Sequence, residues 1–469
     1  MSIVYTPQSV SPGTLTLEQL DGLAIEYVRI QWTDIANTTR CRVVAIAHFK
    51  KLLKTERPGV TMVSGTPLAI VNFLPPGHYP VGEQLLAMDL STLRPLPFAP
   101  GQAVVHGFFQ ERVPVKVDGS LSIEVPYCPR TVLSNITKKA EEKLGVEFLV
   151  GFESEFTLLE STKPVKAVSD GAWSYASSFN AGTAGQKVLD EIAKQIRASG
   201  IELLIYHSEG GPGQYEVVTG PLPPLEAADA LIQTRQIIYN AASKHELRAT
   251  FAPRVYSDNC GTACHAHLSV HKPGATQPIS STSPHLNALE SSFLAGLLNH
   301  LPAVTAFTLP QPASYSRVVD GIWSGGTWVS WGIDNKEVPV RLCNYAFPAS
   351  RNFEVKCIDG LANPYLALSA VLGAGLTGVN KGADLHVRDC SVDRAPGQLN
   401  EKERAELGIV DRMALSWEDA IAKLEADDEL IDAIGRKSVD AYLAVNKFLS
   451  SFMVAGSEED VTTRLVESY

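Results

Sequence analysis

The sequence predicts an α+β protein with a small strand-rich first domain and a larger second domain that mixes strands and helices. Three observations carry that prediction. Residues 15–115 hold runs that alternate or stay continuously apolar, as strands do. A break flanked by prolines, VPYCPRT, follows at 125–131. Beyond it, in residues 126–469, apolar residues recur at helical spacing between short strand-like runs.

In the first region, AIEYVRIQWTD, CRVVAIAHF, QAVVHGFF and VPVKV read as strands, punctuated by FLPPGHYPVG and PLPFAPGQ. After Arg130, TVLSNITKKAEEKLG reads as a helix ending at Gly145. AGQKVLDEIAKQIRASG repeats Val188, Ile192 and Ile196 on one helical face and stops at Gly200. The strand IELLIYH follows, then the long amphipathic helix EAADALIQTRQIIYNAASKHE, then RATFAPRVY and HAHLSVH as strands. Ser416 and Asp419 signal a helix start, and GRKSVDAYLAVNKFLSSF reads as a further helix.

Composition excludes several classes. The chain has 469 residues, 45% hydrophobic and 19% charged, as ordinary globular proteins do. A net charge of −11 without a basic stripe argues against nucleic acid or anionic membrane as partner. The uncharged stretch GLANPYLALSAVLGAGLTGVN nears the length of a membrane span, but Asn363, Pro364 and four glycines favour a buried helix beginning near Pro364. MSIVYTPQSV lacks the basic start and apolar run of a signal peptide. The seven scattered cysteines fit reduced thiols, so the expected location is the cytoplasm. Cys260, Cys264, His265 and His267 crowd together in DNCGTACHAH, but no second ligand pair at finger spacing supports zinc.

The chemistry concentrates in carboxylates inside apolar runs. FLVGFESEFTLL places Glu153 and Glu155 on one strand face, about 7 Å apart at the strand rise. Burying even one ionised carboxylate costs several kcal/mol without a partner or metal, about as much as a strong core contact contributes. Glu209 and Glu216 flank a Gly-Pro-Gly turn, so the chain doubles back and both can face one site. His265 and His267 share a strand face, as do Glu354 and Lys356. Five carboxylates and an imidazole favour Mg²⁺ or Mn²⁺ over zinc. With Arg317, Lys336, Arg341 and Lys356 nearby in the order of motifs, the set suits phosphate handling, and no P-loop sequence occurs.

The blocks GFESEF, GPGQYE, HAHLS, ASYSR, RNFEVK and ANPYL, in that order, resemble the signature blocks of glutamine synthetase. The pattern is most similar to type I-like members, among them γ-glutamylpolyamine ligases and eukaryotic glutamine synthetase-like proteins. The resemblance implies a β-grasp N-terminal domain over 15–115 and a glutamine synthetase-type catalytic α/β domain over 126–469. It implies sites between subunits of a homo-oligomer, usually a double-ring dodecamer, with ATP and two or three Mg²⁺ or Mn²⁺ ions per site. By the same resemblance Glu155, Glu209 and Glu216 would hold one metal and Glu153, His265 and Glu354 another. Arg317 and Gly261 would bind the acid substrate, with Trp323 and Lys356 also at the substrate. His267, Ser269, Lys336 and Arg341 would contact ATP. Asp34, Arg341 and Lys356 would take part in catalysis, Asp34 from the neighbouring subunit near the amine site.

The chain also departs from the family pattern. Six positions after Arg317, where ammonia-using members carry a flap glutamate, stands Trp323, which accepts no proton but can pack on an alkyl or aryl amine. A flap shifted in register would offer Glu337 or Asp320 instead. Lys336 and Lys356 replace arginines, keeping charge and losing bidentate geometry. Gly261-Thr262-Ala263 replaces a Gly-Ser-Gly, and residues 383–400 hold no tyrosine of the kind adenylylated in some members. The expected activity is an ATP-dependent γ-glutamyl–amine ligase acting through a γ-glutamyl phosphate. The alternatives are a glutamine synthetase using ammonia and an inactive family member serving as scaffold or regulator.

Overall fold

The structure is a computed structural model, and it describes residues 15–469 apart from Asp118, Ala172 and Asp334. Two sheets organise it. The first has six strands, with Tyr27–Thr33 between Thr39–Ala45 and Gln102–Val117, and Glu83–Pro95 and Gly59–Val63 beyond. Tyr27–Thr33 pairs parallel with Gln102–Val117, and its other partner is antiparallel. Val28, Ile30, Trp32, Leu86, Val105 and Phe109 line the core beneath this sheet.

Two strand expectations change here. CRVVAIAHF is a strand only to Ala45, after which Ile46–Leu52 is a helix. The reason is visible in spacing: Ile46, Phe49 and Leu52 recur every third residue, and the helix buries Phe49 completely against the sheet. QAVVHGFF and VPVKV form one continuous strand, Gln102–Val117, with a register shift between Gln110 and Val115 that accommodates Pro114.

The second sheet has nine strands. Along its path run Trp331–Gly332, Val340–Cys343, Asn352–Val355, Cys264–His271, Glu147–Thr162, Gln214–Thr219 and Leu203–Ser208. The long Glu147–Thr162 strand is its spine, bordered by antiparallel neighbours on both sides. Of RATFAPRVY only Arg248–Thr250 is strand. Pro253 follows closely, and a proline cannot donate to a ladder.

Helices cover the sheet. Pro129–Leu144 ends in a left-handed Gly145, and Ala184–Ala198 and Pro224–Lys244 stand where the apolar spacing put them. The uncharged stretch is the helix Pro364–Lys381, whose N-cap Asn363 accepts from the Tyr365 and Leu366 amides. It packs against Ala288–Thr308 at Gly296 and Gly378, where an added Cβ on Gly296 would lie 2.5 Å from Ala374 O. The glycines therefore serve a tight helix–helix contact. Among the described residues no helix is long and apolar enough to cross a membrane. Ser416 caps Trp417–Glu425 as its spacing suggests, and a further helix, Glu458–Ser468, starts from a Ser457–Asp460 capping box.

Candidate metal and substrate site

Strand register assembles the site. On the spine strand, Glu153 pairs with His265 and Glu155 with Glu216. Glu216 in turn lies opposite His207, and Glu354 lies between His267 and Arg341. Directly opposed residues bring their Cβ atoms within about 5 Å, so one sheet face collects acids, imidazoles and cations in a continuous row.

Two clusters emerge from the row. In the first, His265 Nδ1 lies 3.0 Å from Glu153 Oε2 and 3.3 Å from Glu354 Oε1. His267 Nε2 is 3.0 Å from Glu153 Oε1, and its Nδ1 is 2.8 Å from Asn352 Oδ1. Arg341 Nε and Lys356 Nζ reach Glu354 at 2.5 and 3.1 Å. Burial alone would push Glu153 up, but hydrogen bonds with His265 and His267 hold it well below the usual carboxylate range. Glu354 behaves alike: burial opposes ionisation, and Lys356, His265, His267 and Arg341 outweigh it, holding the group at about 2. His265 is pushed down by burial and by Lys356, whereas His267 is raised well above an ordinary imidazole despite its burial.

The second cluster has too few cations. Glu209 and Glu216 are 3.2 and 3.1 Å from the two nitrogens of His207, their one ion-pair partner among the described residues. Glu155 accepts from the Ala263 amide at 2.9 Å and from Gln214 Nε2 at 3.0 Å, both uncharged donors. Burial and repulsion from Glu216 and Glu209 push Glu155 up to about 8, and burial and Glu216 push Glu209 to about 7. A hydrogen bond to Glu216 lifts His207 to about 9.

The donor set fits divalent cations. Glu153, His267 and Glu354 form one triple of donor atoms lying within 4.8 Å of one another, and His207, Glu209 and Glu216 form another. Oxygen-rich triples with one imidazole suit Mg²⁺ or Mn²⁺. The triple around Glu153 contains His267, while His265 bridges Glu153 and Glu354 beside it.

The other sequence candidates divide. Arg317 is buried at 2% exposure, with its guanidinium donating to Lys356 O and Ile358 O at 3.1 and 3.3 Å. Gly261 abuts it, and a Cβ there would come within 2.3 Å of Arg317 Cγ. Ser269 lies farther along the histidine strand, 2.7 Å from His271 Nε2. Lys336 is exposed, and no ion pair among the described residues joins it to either cluster. Trp323 is 83% exposed with φ +58°, at the tip of the loop after Arg317. Asp34 is apart from both clusters, fully buried, held by Arg40 Nε at 2.6 Å and the Thr38 amide at 2.8 Å. Burial raises it to about 7 even so. His207 and Gln214 were not singled out from the sequence. His207 stands two residues before Glu209 on an extended run, the same spacing that exposed Glu153 and Glu155.

Residues 126–455 match the glutamine synthetase catalytic-domain family. The fluG protein of Emericella nidulans is 37% identical over 456 residues, which are 95% of this chain and 49% of that protein. The chain thus spans about half the length of that relative. The γ-glutamylpolyamine synthetase GlnA3 of Streptomyces coelicolor is 32% identical over 94% of this chain and 92% of its own. A solved glutamine synthase homologue superposes with a TM-score of 0.76 at 24% identity, covering 95% of this chain and 99% of that one, and supports the fold. The chain belongs to the glutamine synthetase family.

Proposed function

We propose that the protein is an ATP-dependent ligase joining the γ-carboxylate of a glutamate-like acid to an amine larger than ammonia. The observation that carries the reading is the pairing of two acid–imidazole triples with the cations Arg341 and Lys356 on one sheet face. Such a face suits a transferring phosphoryl group, whose charge is spread over several oxygens. Glu153, His267 and Glu354, with His265, would hold one divalent ion, and Glu209, Glu216 and His207, with Glu155, a second. Bound ions there would supply charge neutralisation for ATP phosphates and for the acid's carboxylate.

The chain's own groups do the rest. Arg317 presents a buried positive charge whose Nε lacks a protein partner, a fit for a substrate carboxylate, and Gly261 leaves room for it. Arg341 and Lys356 flank Glu354 and would attract the phosphates, with His267, Ser269 and Lys336 along the nucleotide's path. Phosphorylating the acid gives a good leaving group, which an amine then displaces. Trp323, exposed where a proton-accepting side chain is expected, favours an amine bearing an alkyl or aryl group. The γ-glutamylpolyamine synthetase among the relatives supports the same direction. The double-ring assembly, with Asp34 at a subunit boundary, is part of this reading, and light scattering tests it.

The test is phosphate release from ATP with Mg²⁺ or Mn²⁺ and L-glutamate across ammonia, hydroxylamine, methylamine, ethanolamine and putrescine. Release dependent on an alkylamine, with the matching amide by mass spectrometry, is the expected outcome. Ammonia as the dominant donor at matched concentration would overturn the amine reading. Silence with every donor in metal-loaded, assembled protein would overturn the activity with L-glutamate.

A further inference from the structure

A cavity of about 450 Å³ opens between the turn after Asp34 and the helix Pro224–Lys244. None of the acids, imidazoles or cations of the two clusters lines it. Arg235, Arg248, Tyr239, Asn37, Asn240 and Ser243 do, and no carboxylate side chain is among the lining residues. In a chain of net charge −11, two arginines set in a wall of neutral polar groups make a positive hollow in an acidic protein.

Arg235 is the group that calls for a ligand. It is 6% exposed, and an arginine is almost never buried so deeply without a paired carboxylate. Its own contacts are long and neutral: Nη1 reaches Asn37 Oδ1 at 3.5 Å and Ala362 O at 3.4 Å, and Nη2 reaches Cys264 Sγ at 3.6 Å. Nε has no hydrogen-bond partner, and among the described residues no ion pair joins Arg235 or Arg248 to a carboxylate. Arg130, buried as deeply, shows the contrast, since it holds Asp229 through two bonds at 3.1 and 2.8 Å. The acids behind the cavity wall are otherwise engaged. Asp34 is held by Arg40, and Asp359, which burial pushes up, accepts from the Leu361 amide at 3.0 Å. The Tyr469 main-chain oxygen accepts from Thr250 Oγ1 at 2.6 Å and from the Phe251 amide at 3.1 Å.

The two guanidiniums act on the same wall. Burial pushes the Tyr239 phenol up to about 12, and Arg235 and Arg248 both pull against that rise. Arg248 is exposed, donates to the Glu467 main-chain oxygen, and carries further donors in its fork. We propose that this cavity is a binding site for a small oxyanion, a phosphate or an organic carboxylate, held between Arg235 and Arg248. Guanidinium forks match either group through paired N–H bonds. Asn240 and Ser243 add neutral donors for the rest of the molecule that carries the charge. The site is separate from the two clusters, and the inference does not rest on the ligase reading.

Calorimetric titration of the full chain, free of metal and nucleotide and at constant ionic strength, tests this with inorganic phosphate and with succinate. Arg341 on the first cluster would also attract such anions, so three variants separate the sites. The expected result is binding that weakens about tenfold or more in Arg248→Gln and in Arg235→Gln, and that survives in Arg341→Gln. The probe that binds more tightly tells whether the natural occupant carries a phosphate or a carboxylate. Arg235 is buried, so if Arg235→Gln does not fold, Arg248→Gln, at an exposed position, decides alone. Binding lost in Arg341→Gln and kept in Arg248→Gln places the anion at the clusters and overturns the proposal. Equal weakening in all three variants reports only the protein's overall charge and overturns it as well. So does the binding of neither probe.

Discussion

The two acid clusters share a sheet face yet solve the problem of buried charge in opposite ways. Glu153 and Glu354 have Arg341, Lys356 and two imidazoles within hydrogen-bonding reach, and remain ionised. Glu209 and Glu216 share His207 as their ion-pair partner, Glu155 accepts from uncharged donors, and Glu155 and Glu209 are pushed to about 8 and about 7. The first cluster is balanced by protein. The second is short of positive charge. Like charges held together by a fold cost stability that folding alone does not require, which is why we propose the second cluster as a cation site.

The sharpest way to break this comparison is to remove an acid from the under-compensated cluster. Glu216→Gln should lower ligase activity by about 10³-fold and abolish stabilisation by Mn²⁺ in a melting assay. Without metal, the same variant should melt higher than wild type at pH 8, because a repelling charge is gone. A balanced cluster should respond the other way. Lys356→Met leaves Glu354 short of a partner and should cost about 3 kcal/mol in denaturant unfolding with or without metal.

The pH dependence separates the clusters next. Glu155, Glu209 and Asp34 have folded values raised above their unfolded ones, so the native state holds protons that the unfolded chain has released. Their contribution is unimpaired at low pH and is lost as pH rises from about 4 to 8. His207, raised to about 9, adds stability below its unfolded value that fades over the same alkaline approach. Glu153 and Glu354, held low, contribute above the ordinary carboxylate range and lose that contribution only in acid. Metal-free protein should therefore melt lower at pH 8 than at pH 5, and saturating Mn²⁺ should flatten that slope. The smallest effect belongs to Trp323→Ala, which should raise KM for an alkylamine about tenfold while leaving the melting temperature unchanged, since the ring is exposed.

Period-two spacing made most of the site legible in the sequence. Glu153 with Glu155 and His265 with His267 announce a shared face by their positions alone. What spacing cannot supply is which strands lie side by side. His207 escaped notice because its partner Glu216 is set by hairpin register. Asp34 likewise reads as an isolated acid, and its burial depends on Arg40 and on Asn363, which donates to its backbone from 329 residues away. The Ile46–Leu52 helix was hidden for a local reason, since a short apolar run suits either strand or helix until its third-residue recurrence is weighed.

The central claim is that Glu155 and Glu209 store protons that a divalent cation displaces. Titrating metal-free protein with Mn²⁺ at pH 6.5, in buffers of different ionisation enthalpy, measures those protons directly. The account predicts release on the order of one proton per ion bound, falling markedly in Glu155→Gln. Heats independent of the buffer, or release unchanged by Glu155→Gln, would contradict it.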